Sequence, residues 1–189
     1  MEEEIDRREQ AAEEAAALAR VRAGEPAAYA ELVMLHAPIA KRLAVLSGAG
    51  SEADDVVQEA FVKAYEALPR FRDGAGFRPW LLRIVVNETR NLQRGRSRRA
   101  LRELRVATED VVTRTVDDPA EAVVTAARRT GLLDAVETLP DDLRDVVTCR
   151  YLLELSEAET ADTLGVPAGT VKSRLHRALA SLREVMADA

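Results

Sequence analysis

"SEAETADTLGVPAGTVKSRLHRALASL", residues 156–182, reads as two helices and the turn between them. Ser156 with Glu159 three residues on is a capping box that opens the first helix, and Gly165 stands where that helix needs a left-handed residue to end. Pro167 suits the first turn of the second helix. Ala161, small where two helices must cross closely, lies four residues before Gly165 and Val171 six after it, which is helix-turn-helix spacing. In the second helix Val171, Leu175, Ala178, Leu179 and Leu182 fall on one stripe and face a core. The other side presents Gly169, Thr170, Ser173, His176 and Arg177, flanked by Lys172 and Arg174, and the helix carries no acid from Lys172 to Arg183. Small groups permit close approach, hydroxyls suit phosphates and cations suit guanine edges, so this face is expected to bind DNA.

The rest of the chain has to be reconciled with that face, because the net charge is −6 over 189 residues. Charge is strongly segregated. Between Arg70 and Arg105 the arginines at 70, 72, 78, 83, 90, 94, 96, 98, 99, 102 and 105 meet only Asp73, Glu88 and Glu103, while Glu2, Glu3, Glu4, Asp6 and Glu9 precede the block and Glu109, Asp110, Asp117, Asp118 and Glu121 follow it. A hydrophobic content of 47% supports packed cores, and an aromatic content of 4% with few Gly and Pro favours helices over strands, so the fold is expected to be all-α.

Cys149 alone cannot form an intramolecular disulfide, and His36 and His176 are isolated, so no zinc cluster or other metal site is expected. No apolar run reaches the length of a membrane span, and the start Met1-Glu2-Glu3-Glu4 is acidic where a signal peptide is basic. A cytoplasmic location without membrane insertion is the resulting expectation.

Along the chain, residues 1–21 form an acidic, alanine-rich extension expected to be a solvated or frayed helix. Residues 22–100 read as one helical domain. In it Tyr29, Leu32, Val33 and His36 begin one helix, Ser47-Gly48-Ala49-Gly50 breaks the pattern, and Ser51 or Asp54 caps a helix with Val56, Ala60, Phe61, Val62 and Tyr65 as apolar positions before Pro69. Another helix runs through "WLLRIVVNETRNLQRGR". Residues 101–127 lose periodicity and read as an acidic linker, and 128–187 as a second helical domain in which Leu132, Leu133, Val136 and Leu139 line one helix and Leu143, Val146, Val147 and Tyr151 the next.

Five of the seven aromatics, Phe61, Tyr65, Phe71, Phe77 and Trp80, crowd beside the arginine block. Core packing accounts for most of them, but interleaved aromatics and arginines can also stack unpaired bases and follow a single-stranded backbone. Asn87 and Asn91 share a helical face with Arg83, Arg90 and Arg94, a set able to read base edges or hold phosphates.

Three segments taken together, "DDVVQEAFVKAYEALPRF", "FRPWLLRIVVNETRNLQRGRSRR" and "LSEAETADTLGVPAGTVKSRLHRAL", resemble the successive conserved regions of the extracytoplasmic-function (ECF) sigma factors of bacterial RNA polymerase, over nearly everything from Ala27 to Met186. The resemblance implies that Asp54, Asp55, Gln58 and Glu59 dock on core polymerase, with Phe61 packing beneath them. It implies that the segment from Phe71 through Arg72 and Asp73 to Gly76, with Trp80, Asn87, Arg90, Asn91 and Arg94, captures the melted minus-ten promoter element; Asn91 stands where the family pattern carries aspartate. For the minus-thirty-five element it implies Lys172, Ser173, His176 and Arg177 toward bases and Thr170 and Arg174 nearer phosphates. Core polymerase, promoter DNA both duplex and melted, and an anti-sigma factor are the implied partners, with no cofactor and no enzymatic activity. An acidic remainder then helps keep such a factor off random DNA while polymerase supplies most of the affinity.

Two other readings stand beside this one. A two-domain helix-turn-helix regulator could bind duplex operators without polymerase, although no heptad or long apolar edge supplies the dimer that a palindrome requires. Asp54, Asp55 and Glu59 could mimic a catalytic metal cluster, but no phosphate loop, nucleophile or histidine accompanies them.

Overall fold

The computed structural model describes residues 2–71, 76–106 and 133–187, which are helical with no strand among them. Helix α1, Glu2–Arg22, ends at Gly24, and Pro26 begins a single 3-10 turn that leads into α2, Tyr29–Leu46. The helical spacing of Leu32, His36, Ala40, Leu43 and Ala44 buries one stripe of α2. Helix α3, Ala53–Ala67, comes directly after the 3-10 turn Gly50–Glu52, so it starts out of that turn with no side-chain cap where Ser51 or Asp54 was expected to provide one. Helix α4, Phe77–Val106, buries Phe77, Leu81, Leu82, Val85, Val86 and Thr89 in its first half against α2 and α3. The extension differs from the expected solvated helix, because Ala17 and Leu18 are buried where α1 lies on α2.

In the C-terminal unit a helical segment over 133–137 precedes Pro140 and α5, Asp141–Val147. Helix α5 runs on into a π turn, Thr148–Leu152, closed by the Leu153 amide on the Thr148 carbonyl at 2.9 Å. One residue inserted into the helical register rotates every later side chain by about 100°. Tyr151 stands within that turn and is 54% exposed, although its spacing from Val147 placed it in the core, while Cys149, Leu153 and Leu155 are buried.

The helix-turn-helix forms as its residues dictate. The Ser156 hydroxyl accepts from the Glu159 amide at 3.2 Å and the Glu159 carboxylate accepts from the Ser156 amide at 2.8 Å, opening α6, Glu157–Leu164. Gly165 closes it in the left-handed conformation, φ +65°, with the Val166 amide on the Ala161 carbonyl at 3.0 Å. Gly165 has a second reason to be glycine, since a Cβ there would stand 2.8 Å from the Arg83 guanidinium of α4. Helix α7, Ala168–Ala187, buries Val171, Ala178 and Leu182 against α5 and α6.

Arg83 over Gly165 belongs to a seam between the two units. Helix α6 packs on α4, and Arg90 Nη2 of α4 lies 2.7 Å from Asp145 Oδ2 of α5. The expected linker, 101–127, begins within α4 and otherwise falls outside the described residues.

Candidate nucleic-acid interface

Two surfaces carry the residues expected to meet DNA. On α7, Lys172, Ser173, His176 and Arg177 are exposed together, as the stripe of Val171, Ala178 and Leu182 on the opposite side requires. Ser173 Oγ donates to the Thr170 carbonyl at 3.1 Å, and Thr170 itself is half-buried. The cations are not equivalent. Arg174 is half-buried with Nε 3.3 Å from Asp142 of α5, Lys172 lies 3.5 Å from Glu157, and Arg177 and His176 project beyond both pairs. A cation already held by a carboxylate has less charge to offer a phosphate or a base, so Arg177 is the exposed guanidinium on this face without such a carboxylate among the described residues.

The second surface lies along α4. Trp80 is half-buried in a cluster with Phe71 at 4.8 Å and Phe77 at 5.6 Å between ring centroids, edges tilted rather than stacked flat. About two to four turns on, Asn87, Asn91 and Arg94 are exposed. Arg94 donates to the Asn91 side-chain carbonyl at 2.7 Å, and Asn91 donates in turn to Glu88 at 3.3 Å, so the amide at 91 is oriented from both ends. Glu88 also takes Lys63 of α3 at 2.7 Å, which raises the Lys63 pKa, chiefly through that hydrogen bond. Arg90 departs from the row. It turns toward the seam and pairs with Asp145, at the edge of a 650 Å³ cleft lined by Asn87, Arg94, Arg98 and, across from them, Asp141. Arg72 and Asp73 lie outside the described residues.

Asp54, Asp55, Gln58 and Glu59 all lie exposed on α3, with Asp54 2.7 Å from Lys41 and Glu59 3.1 Å from Lys63. Beside them runs a feature the sequence did not announce, a 960 Å³ apolar groove between α2 and α3 lined by Tyr29, Val33, Met34, Val57, Phe61 and Val62, with Asp54, Gln58 and Glu66 at its rim. Val62 and Tyr65 were counted as core, but they are 48% and 43% exposed along this groove, and Met34 is 71% exposed. Their signal was present: Met34 falls off the α2 stripe of Leu32, His36 and Ala40, as Val62 falls off the α3 stripe of Val57, Phe61 and Ala64. The floor is rigid, because the Tyr29 hydroxyl donates to the Phe61 carbonyl at 2.7 Å and its ring meets Phe61 and Tyr65 edge-on. Burial, reinforced by Tyr65, raises the Tyr29 pKa and keeps that donor protonated. No described helix is long and apolar enough to cross a membrane.

Comparison with known proteins gives the family. Residues 32–99 match the family model described as Sigma-70 region 2, and residues 129–182 that described as Sigma-70, region 4. The chain is 34% identical over 165 residues to the ECF RNA polymerase sigma-E factor of Haemophilus influenzae, covering 84% of this chain and 87% of that one. It is 32% identical over 176 residues to the ECF RNA polymerase sigma factor SigW of Bacillus subtilis, covering 89% and 94%. Among solved structures it is similar to CnrH in complex with the cytosolic domain of CnrY, with TM-score 0.68, 27% identity and coverage of 94% and 99%. The fold is also that of the sigma factor RpoE of Bartonella quintana, solved with the anti-sigma factor NepR, at TM-score 0.65, 24% identity and coverage of 84% and 96%. With both sigma regions matched in order and relatives aligned over most of its length, the chain belongs to the ECF sigma factors of RNA polymerase.

Proposed function

We propose that the protein docks on core RNA polymerase through the exposed face of α3 and the adjoining groove, carries it to promoters, and promotes DNA opening. In this reading α7 reads the minus-thirty-five element through Lys172, Ser173, His176 and Arg177, with Thr170 and Arg174 nearer phosphates. The start of α4 takes the melted minus-ten strand, with Trp80 as a stacking platform and Asn87, Asn91 and Arg94 as polar contacts. Arg90 joins them once it leaves Asp145. The observation that carries the reading is the presence on one chain of two DNA-suited surfaces of different kinds: a capped helix-turn-helix whose exposed helix face is cationic, and an aromatic cluster followed by amides and guanidinium groups. A duplex reader needs only the first. The relatives support the polymerase partner by name, and an anti-sigma protein, as found with the Bartonella relative, is part of the same proposal.

The test is to combine the protein with core polymerase, isolate the complex and map transcript starts on a library of promoter fragments. Starts at a fixed distance downstream of a shared two-part element are expected, with tight duplex binding only when polymerase is present, since one small recognition helix on a chain of net charge −6 neutralises few phosphates. Tight, sequence-specific duplex binding by the free protein at physiological salt, with no effect of polymerase, would show an operator-binding regulator instead.

A further inference from the structure

Helix α1 lies outside the residues matched by either family model and was expected to be a solvated or frayed helix, yet two of its side chains reach across to Phe71 and Phe77, on either side of the segment that joins α3 to α4. The Glu14 carboxylate is used at both oxygens. Oε1 accepts from the Phe77 amide at 3.2 Å, and Oε2 lies 3.0 Å from Nε2 of His36, whose side chain is 6% exposed. Phe77 is the first residue of α4, where a helix has amides with no internal acceptor and a dipole that favours negative charge, so Glu14 fixes the start of that helix. Two turns along α1, Arg22 donates from Nη2 to the Phe71 carbonyl at 2.6 Å and sets its guanidinium 5.7 Å from the centre of the Phe71 ring. Phe71 and Phe77 are the two residues whose rings pack on Trp80, and His36 packs on Phe77 at 5.4 Å. Thus each aromatic neighbour of Trp80 has its backbone tied to α1.

We infer that α1 is a positioning element for the minus-ten reader: Glu14, His36 and Arg22 hold Phe71 and Phe77, and through them set the Trp80 ring where an unstacked base can meet it. The inference rests on the function proposed above. A half-buried carboxylate beside an imidazole is a weak source of stability, because an apolar pair of the same volume serves as well, whereas a directional bond from one amide together with close contact to one ring specifies a position. Ala17 and Leu18 dock the helix, and Glu14 and Arg22 orient what lies beyond it.

The full-length variants Glu14→Ala, Glu14→Gln and Arg22→Ala test this with four measurements: thermal melting and emission of Trp80, the only tryptophan of the chain, on the free proteins, then affinity for core polymerase and the rate of duplex promoter opening by the resulting complex. Glu14→Ala and Arg22→Ala are each expected to slow duplex opening about tenfold, well below melting, with core affinity unchanged and Trp80 emission shifted to the red. Glu14→Gln keeps an acceptor for the Phe77 amide and is expected to recover most of the rate, which a nonspecific loss of stability does not explain. Should Glu14→Ala fail to fold, Arg22→Ala on the exposed edge carries the test. Folded alanine variants that open promoters at the wild-type rate overturn the inference and leave the proposed function standing. Wild-type complex that opens no promoter overturns the proposed function, and Trp80 emission, which needs no polymerase, then still decides whether α1 positions the ring.

Discussion

Cys149 has no exposed surface, and burial, helped by the nearby Asp145 charge, pushes its thiol up to about 12. A thiol in that state is a small core group and a poor nucleophile. The folded protein is therefore expected to react with a soluble maleimide at least about a hundredfold more slowly than the denatured chain, read by mass shift over time. Equal rates would place the π turn open in solution. On α7 the two central arginines separate by their partners. Arg177→Ala is expected to relax preference at one upstream base and cost about 1–3 kcal/mol of promoter discrimination, measured on a randomised minus-thirty-five element with the polymerase complex. Arg174→Ala removes a side chain already held by Asp142, so it should lower affinity evenly across sequences. If both variants flatten the same base position, the side of α7 taken to face DNA is wrong.

At the scale of the element, α3 shows how a polar face and a packed face coexist on fifteen residues. Val56, Val57, Ala60 and Phe61 are buried, so reversing the charge at Asp55 and Glu59 changes only the exposed side and one surface pair with Lys63. Such a pair is worth little, and the double variant Asp55→Arg, Glu59→Arg is expected to melt within a few degrees of wild type while losing core polymerase by several kcal/mol, if cations of the partner oppose these acids. Unchanged affinity in titration would remove α3 from the docking surface. The elements also show what the sequence made legible and why. The capping box, Gly165 and the α7 stripe were readable because each depends on residues within one or two turns, where spacing alone fixes geometry. Tyr151 was misplaced because a π turn leaves no mark in composition, and Tyr65 because it shares the stripe of Val57 and Phe61 and apolar periodicity cannot tell a buried position from an exposed groove wall, whereas Val62 stands off that stripe and could have been read as exposed. Glu14 escaped for a third reason. Its partners are His36 and Phe77, 22 and 63 residues away, and local pattern says nothing about contacts at that range.

Over the whole molecule, the seam between the two helical units is where the ion pair of Arg90 with Asp145 and the proposed contact with the melted strand draw on the same side chain. Asp145 is almost wholly buried, and desolvation raises its pKa above the ordinary 3.8 even though the Arg90 cation pulls the other way. Linkage fixes the sign. A carboxyl that holds its proton to higher pH in the folded state than in the unfolded one favours folding most below 3.8, and that contribution is lost as pH rises through the folded value. At neutral pH the ion pair with Arg90, at 2.7 Å, is the main offset to the buried charge, with the Ser47 hydroxyl a smaller one. Removing the cation leaves that charge uncompensated: Arg90→Ala is expected to cost roughly 2–4 kcal/mol at pH 7.5, below the full buried-pair range because the Arg90 side chain is one-third exposed and water can take part of its place. The deficit should shrink as pH is lowered from 7.5 toward 5, the direction in which a carboxyl held above its ordinary value takes up its proton. Asp145→Asn keeps an acceptor for Arg90 without the charge and should stay within about 1 kcal/mol of wild type, and adding it to Arg90→Ala should remove the pH dependence. Denaturant unfolding of the three variants at both pH values measures all of this. A small, pH-independent deficit for Arg90→Ala would mean that the seam is solvated and the units part freely. A large, pH-dependent one means that Arg90 cannot serve the melted strand and Asp145 together, so in the proposed function the units must separate before this arginine reaches DNA.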